Sequence, residues 1–136
     1  MKSFTQGLMV RALQRAKAGK PNIFSRMMQE AVPFNRPHRI SITEISPKGC
    51  VVSIPYRRRN LNHLGTMHAC TIAAAGEYVS GLNVIEAFDI SDFRLILSRL
   101  EVDYIRRPVG SCEICINCKL IDSKSEHVAT TTSHWQ

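Results

Sequence analysis

Glu77 is a carboxylate in a segment that otherwise reads as a buried helix. From Met67 the chain runs His68-Ala69-Cys70-Thr71-Ile72-Ala73-Ala74-Ala75-Gly76-Glu77-Tyr78-Val79-Ser80-Gly81-Leu82, with small and apolar residues on every side of the helical wheel. A helix that is apolar all round is usually buried. A carboxylate there is costly to desolvate unless something pairs with it or uses it. The loop before it, Asn62-His63-Leu64-Gly65-Thr66, supplies an amide, an imidazole and a hydroxyl at short range. An ionisable group with perturbed surroundings and polar neighbours is a candidate for acid–base or nucleophilic work. The alternative is a Glu77 that points out of a helix end into water, as most glutamates do.

The cysteines offer a second candidate chemistry. Cys112-x2-Cys115-x2-Cys118 has the look of a metal motif, but structural zinc needs ligands gathered by a tight turn. The run Glu113 to Ile121 reads as one strand, on which Cys112 and Cys118 face one way and Cys115 the other. No metal site is expected on that geometry. Five cysteines with no apparent signal peptide point to reduced thiols and a cytoplasmic location. No apolar run approaches the roughly 20 residues that span a bilayer.

The net charge of +7 is spread over Arg11, Arg15, Lys17 and Lys20, over Arg57-Arg58-Arg59, and over Arg99, Arg106 and Arg107. Such a balance suits anionic partners. No zinc-finger spacing or aromatic RNA-binding signature accompanies it, so nucleic acid is not expected.

The elements that must position these groups follow from periodicity. The 136 residues fit one domain, with an N-terminal helical extension over about residues 1–35. Residues 3–18 predict a basic amphipathic helix packed on the body of the domain, and 24–32 a second helix stopped before Pro33. Residues 38–45 and 50–56 alternate as strands across Ser46-Pro47-Lys48-Gly49. The buried helix is expected over 66–80, with Gly81 as its C-cap. Residues 84–90 are ambiguous. Strands are expected at 93–106, 113–121 and 127–135, joined by short turns. The sum is α+β: a five-stranded antiparallel sheet curling round one apolar helix.

With these elements in place, Asn62 to Glu77 resembles the signature of hotdog-fold acyl-CoA thioesterases of the phenylacetate-pathway type. That signature is an Asn, then Gly-Thr-x-His-Gly-Gly, then an acidic residue nine places after the His. Here Gly65-Thr66-Met67-His68 is followed by Glu77 nine places after His68, and Asn62 stands six before it. The likeness extends over roughly residues 38–135, including Leu97-Ser98-Arg99 and Tyr104-Ile105-Arg106-Arg107-Pro108. It departs after the His, where Ala69-Cys70 replaces Gly-Gly.

The resemblance implies a hydrolase acting on acyl-CoA or a related thioester, with coenzyme A entering only as part of the substrate and no separate cofactor. Glu77 is then the nucleophile or the base that activates water, and the Ala69 N–H holds the thioester oxygen, as free amides at a helix start can. Asn62 orients water or thioester, His68 lies near the sulfur, and Ser98 reaches in from the neighbouring strand. Gly65, Arg106 and Arg107 belong to substrate binding; from their chemistry alone, Arg57-Arg58-Arg59 or Arg106 and Arg107 suit the phosphates of coenzyme A, and the simpler reading of these arginines is a solvated face. The family builds its site between two subunits, so a homodimer or a dimer of dimers is implied, with Glu77 and Asn62 from different chains. Cys70 is a candidate nucleophile at the helix start or, more simply, a small core residue. Two other readings stay open. One is a hotdog dehydratase or hydratase using His63 with Glu77, although Leu64-Gly65-Thr66 follows His63 where that family has Phe-Pro-Gly. The other is a non-catalytic acyl-binding module.

Overall fold

The structure, a computed structural model, describes residues 4–88, 94–115 and 118–136, apart from the side chains of residues 4, 5 and 115. Two helices come first, α1 (Phe4–Lys17) and α2 (Asn22–Ala31). Ala12 and Ala16 of α1 and Phe24 of α2 are buried in the common core. Lys17 Nζ donates to the Glu86 carbonyl at 3.2 Å and lies 3.6 Å from its carboxylate. The basic N-terminal helix therefore lies on the body of the fold, its apolar stripe inward.

Strands β1 (Ser41–Ser46) and β2 (Gly49–Ile54) form a hairpin. β1 starts later than alternation predicts, because residues 36–38 form a 3-10 turn and Arg39 adopts a left-handed φ of 51°. A bulge between Ile42 and Glu44 lets both Ile42 and Ile45 face the core despite their odd spacing.

Helix α3 (Ala69–Ala87) follows, then β3 (Leu97–Tyr104), β4 (Cys112–Cys115), β5 (Lys119–Asp122) and β6 (His127–Trp135). The sheet is antiparallel throughout, in the order β1-β2-β4-β5-β6-β3. It wraps α3, and Val79 and Leu82 of the helix meet Val52, Ile54, Ile114, Leu120 and Val128 of the sheet in one buried cluster.

There are six strands here rather than five. The segment read as a single strand over 113–121 turns back on itself, pairing Cys112 with Asp122 and Cys115 with Lys119. Cys118 sits at that turn with φ 55°. Cys112 and Cys115 thus share an extended strand as expected, but Cys118 does not continue it. Among the described residues no three His, Cys, Asp or Glu side chains gather as metal ligands. Asp122 anchors the next turn, its carboxylate accepting the N–H groups of Val109 (2.9 Å), Lys124 (2.9 Å) and Glu126 (3.2 Å). Desolvation pushes this carboxyl up, but the amides prevail and hold it below its ordinary value.

α3 begins at Ala69 rather than Thr66, since Thr66 is bound into the preceding turn. It also runs through Gly81 instead of ending there. A Cβ at Gly81 would lie 3.3 Å from the Trp135 ring, so the glycine makes room for the indole. The ring NH donates to Ser80 Oγ at 3.2 Å. The ambiguous 84–90 stretch is helical to Ala87; residues 89–93, including the start of the predicted 93–106 strand, lie outside the described residues.

Gly76 sets how deeply α3 seats. A Cβ there would fall 2.2 Å from Thr131 Cγ2 and 2.6 Å from Thr131 Cβ. Gly76→Ala should destabilise the fold by about 1–3 kcal/mol through overpacking, read from urea denaturation midpoints. Adding Thr131→Ala should restore only part of it, because the remaining Cβ still crowds the helix.

Candidate active site

The start of α3 is held by a buried amide. Asn60 is fully buried. Its Nδ2 donates to the carbonyls of His38 and Pro55, both at 2.9 Å, and its Oδ1 lies 3.0 Å from His38 Nδ1. Since Nδ2 is spent on carbonyls, Oδ1 is an acceptor, which places a proton on His38 Nδ1. The Asn60 carbonyl in turn accepts the His68 N–H at 2.7 Å. One side chain and its carbonyl thus tie the 36–38 turn, the exit of β2 and the N-cap of α3 together. Nothing in periodicity or motif singles out Asn60; its place in a polar loop hides its burial.

His68 is the N-cap, with φ −67° and ψ 136°. Its Nδ1 accepts the Cys70 N–H at 3.0 Å, so the ring proton of the neutral imidazole is on Nε2. The Ala69 N–H has no acceptor among the described residues, and Ala69 is exposed. Tyr104 donates its hydroxyl to the Ala69 carbonyl at 2.8 Å and so bolts the end of β3 to the first turn of α3. Burial, then the Cys70 thiol nearby, push the Tyr104 phenol above its ordinary value.

Asn62 builds its own turn. Its Oδ1 accepts the N–H groups of Leu64 (2.9 Å) and Thr66 (3.2 Å), and its Nδ2 donates to Thr66 Oγ1 at 3.0 Å. Gly65 closes the turn at φ 72°, and its carbonyl accepts the Tyr56 hydroxyl at 2.6 Å. Asn62 also lines a cleft of about 320 Å³ beside Ala69, Tyr104, Arg106 and Arg107. Four of the predicted site positions are therefore neighbours in one chain. Arg106 is ion-paired to Glu126, while both guanidinium and carboxylate stay about half exposed.

Three predicted residues stand apart from that cleft. His68 lines a second hollow, of about 220 Å³, with Phe34, His38, Arg59, Cys70 and Thr71. Cys70 is exposed there, which overturns its reading as a core residue. The thiols that do pack inside are Cys50 and Cys112, and burial pushes them up to about 11 and about 12. Ser98 is exposed at a bulge of β3 and donates to the His134 carbonyl at 2.9 Å, so its hydroxyl serves the sheet.

Glu77 lies on the half-exposed face of α3 with Ala73, Ala74 and Ser80. Burial pushes its carboxyl above the ordinary value. No described residue pairs with the carboxylate. Eight residues separate it from Ala69, a rise of about 12 Å along the helix.

The chain is similar in fold to several solved structures. A protein solved as a genomics target is 21% identical, with a TM-score of 0.73 over 94% of this chain and 96% of that one. A Pseudomonas aeruginosa protein called a probable thioesterase is 18% identical, with a TM-score of 0.71 over 82% and 90%. A thioesterase from Staphylococcus aureus, solved as a variant, is 15% identical, with a TM-score of 0.65 over 77% and 99%. No curated protein matches this chain. The likeness establishes a hotdog fold of the kind seen in thioesterase structures. The chain belongs to the family described as "Domain of unknown function (DUF4442)", which matches residues 20–135.

Asn60→Ala should cost about 3 kcal/mol or more in denaturant unfolding, because it strands two carbonyls and a ring N–H in the interior. Asn62→Ala, at an accessible turn, should cost roughly 1 kcal/mol.

Proposed function

We propose that this protein hydrolyses thioesters of the acyl-CoA type, with Glu77 as the reacting carboxylate and the Ala69 N–H as the donor to the thioester oxygen. The observation that carries it is the pairing of two unused groups on one helix. Among the described residues, a half-buried carboxylate has no partner and an exposed amide at the helix start has no acceptor. The amide and the helix dipole stabilise the oxyanion of a tetrahedral intermediate. Glu77 attacks the carbonyl directly or takes a proton from the attacking water; both routes need the ionised carboxylate. The thiolate leaves and is protonated; in the water route the acid is released at once, and in the direct route water then hydrolyses the anhydride formed on Glu77, releasing the acid and restoring the carboxylate.

The separation of about 12 Å along α3 argues that the two groups acting on one thioester come from two copies of the chain. The face carrying Ala73, Ala74, Glu77 and Ser80 is half exposed in the single chain, and β3 is an edge strand with open hydrogen-bonding positions. Pairing two chains along these surfaces covers both, as a homodimer would. The S. aureus thioesterase has been solved with a glutamine, and separately with a glutamate fifteen residues further on, replaced by alanine. Asn62 and Glu77 have the same separation. Asn62 acts by shaping the turn that delivers the helix start, and His68 Nε2–H is the donor nearest the leaving sulfur.

Glu77→Gln should lower kcat for acyl-CoA hydrolysis roughly a thousandfold while leaving binding of the thioester in place, followed by thiol release and by calorimetry. Full activity in that variant would remove Glu77 from the mechanism.

The pH dependence has a defined sign. Burial raises the Glu77 pKa, so hydrolysis should rise with pH through a midpoint above the ordinary carboxylate range. Because ionisation of this group opposes folding, Glu77→Gln should have a higher Tm than wild type at neutral pH. That advantage should shrink as acid protonates the wild-type carboxyl.

A further inference from the structure

A cluster of four arginines lies outside the cleft that holds Asn62, Arg106 and Arg107. Arg36, Arg39, Arg57 and Arg59 line a hollow of about 420 Å³, with Pro37 as its other wall residue. Glu30 lies 3.2 Å from Arg36, and both side chains of that pair are largely exposed. Arg39, Arg57 and Arg59 have no acidic partner among the described residues. A concave wall of guanidinium groups with little compensating charge is built for an anion with several oxygens.

Two further observations give the hollow a direction. Arg59 is shared with the smaller hollow that runs past His38 to His68 and Cys70 at the start of α3. Both hollows are framed by the 36–38 and 58–60 turns that Asn60 ties to the helix N-cap. Arg39 also holds a left-handed φ of 51°, a conformation that glycine adopts freely and that costs a side-chain-bearing residue of order 1 kcal/mol. An arginine kept at such a position has something to offset that cost.

We propose that the Arg36–Arg39–Arg57–Arg59 hollow binds the nucleotide phosphates of a coenzyme A-type carrier, whose thiol arm runs past Arg59 and His68 to the Ala69 amide. This rests on the thioesterase reading and moves the phosphate site away from Arg106 and Arg107. Arg106 already spends its charge on Glu126. The carrier therefore approaches α3 from the side of Phe34 and His38, leaving the Tyr104–Pro108 cleft to the rest of the site.

The test is the double variant Arg39→Gly with Arg57→Gln. Glycine suits the left-handed position, so a drop in Tm is not expected and lost binding is separable from lost folding. Each guanidinium–phosphate contact removed should weaken binding by about tenfold. The preference for an acyl-CoA over the same acyl group on N-acetylcysteamine, which has no phosphate, should therefore collapse by tenfold or more through KM. An unchanged preference, or a collapse produced instead by Arg107→Gln, overturns the proposal. Calorimetric titration with adenosine 3′,5′-bisphosphate decides the matter independently of hydrolysis. Binding by wild type that weakens tenfold or more in the double variant supports the phosphate site even if no thioester is cleaved. Equal affinity for the two proteins, or no binding by wild type, removes it.

Discussion

A fully buried amide has to satisfy every one of its hydrogen-bonding groups inside the protein, and the Asn60 side chain does so on the turn after α2 and the exit of β2. Its backbone carbonyl holds the N-cap of α3, so one residue joins three segments. Water cannot replace any of them, so the three move together or not at all. The Ala69 N–H, which has no acceptor among the described residues, keeps its direction because that N-cap is fixed. The Tyr104 hydroxyl adds a second anchor from β3 one residue further on. The candidate oxyanion donor is thus braced from both halves of the sheet.

The depth of α3 is a separate constraint. Gly76 lets the helix backbone press against Thr131 closely enough that no methyl group fits between them. The neighbouring Glu77 is then carried about 100° round the helix onto the half-exposed face, where burial raises its pKa and no described residue pairs with it. Close packing at Gly76 and the half-exposure of the next residue are consequences of one rotation of the helix.

Much of this was legible in the residues alone. The spacing of Asn62, His68 and Glu77 marked out the loop that leads into α3 and the helix that the sheet wraps. The strand at 127–135 and the helix at the N-terminus follow from simple periodicity. The β4–β5 hairpin did not show, since its turn lacks the Gly and Pro punctuation that marks most turns and its cysteines suit either a strand or a bend. Gly81 read as a stop because propensity was weighed without the Trp135 ring that needs the space. Cys70 looked internal because burial of cysteine is an average, whereas His68, Ala69 and Cys70 at the start of this helix are all exposed. Asn60 and the arginine hollow are long-range constructions, assembled from turns that carry no pattern of their own.

The order of the strands has a kinetic consequence. β2 must pair with β4, bringing Val52 opposite Ile114, and everything between them, including α3 and β3, is looped out until that happens. The helix can be enclosed only when these distant partners meet, so early collapse leaves its apolar surface waiting for a sheet. Topologies dominated by such remote pairings reach the native state in milliseconds to seconds rather than microseconds, and a nascent chain of this design stays exposed to aggregation until its last strands emerge.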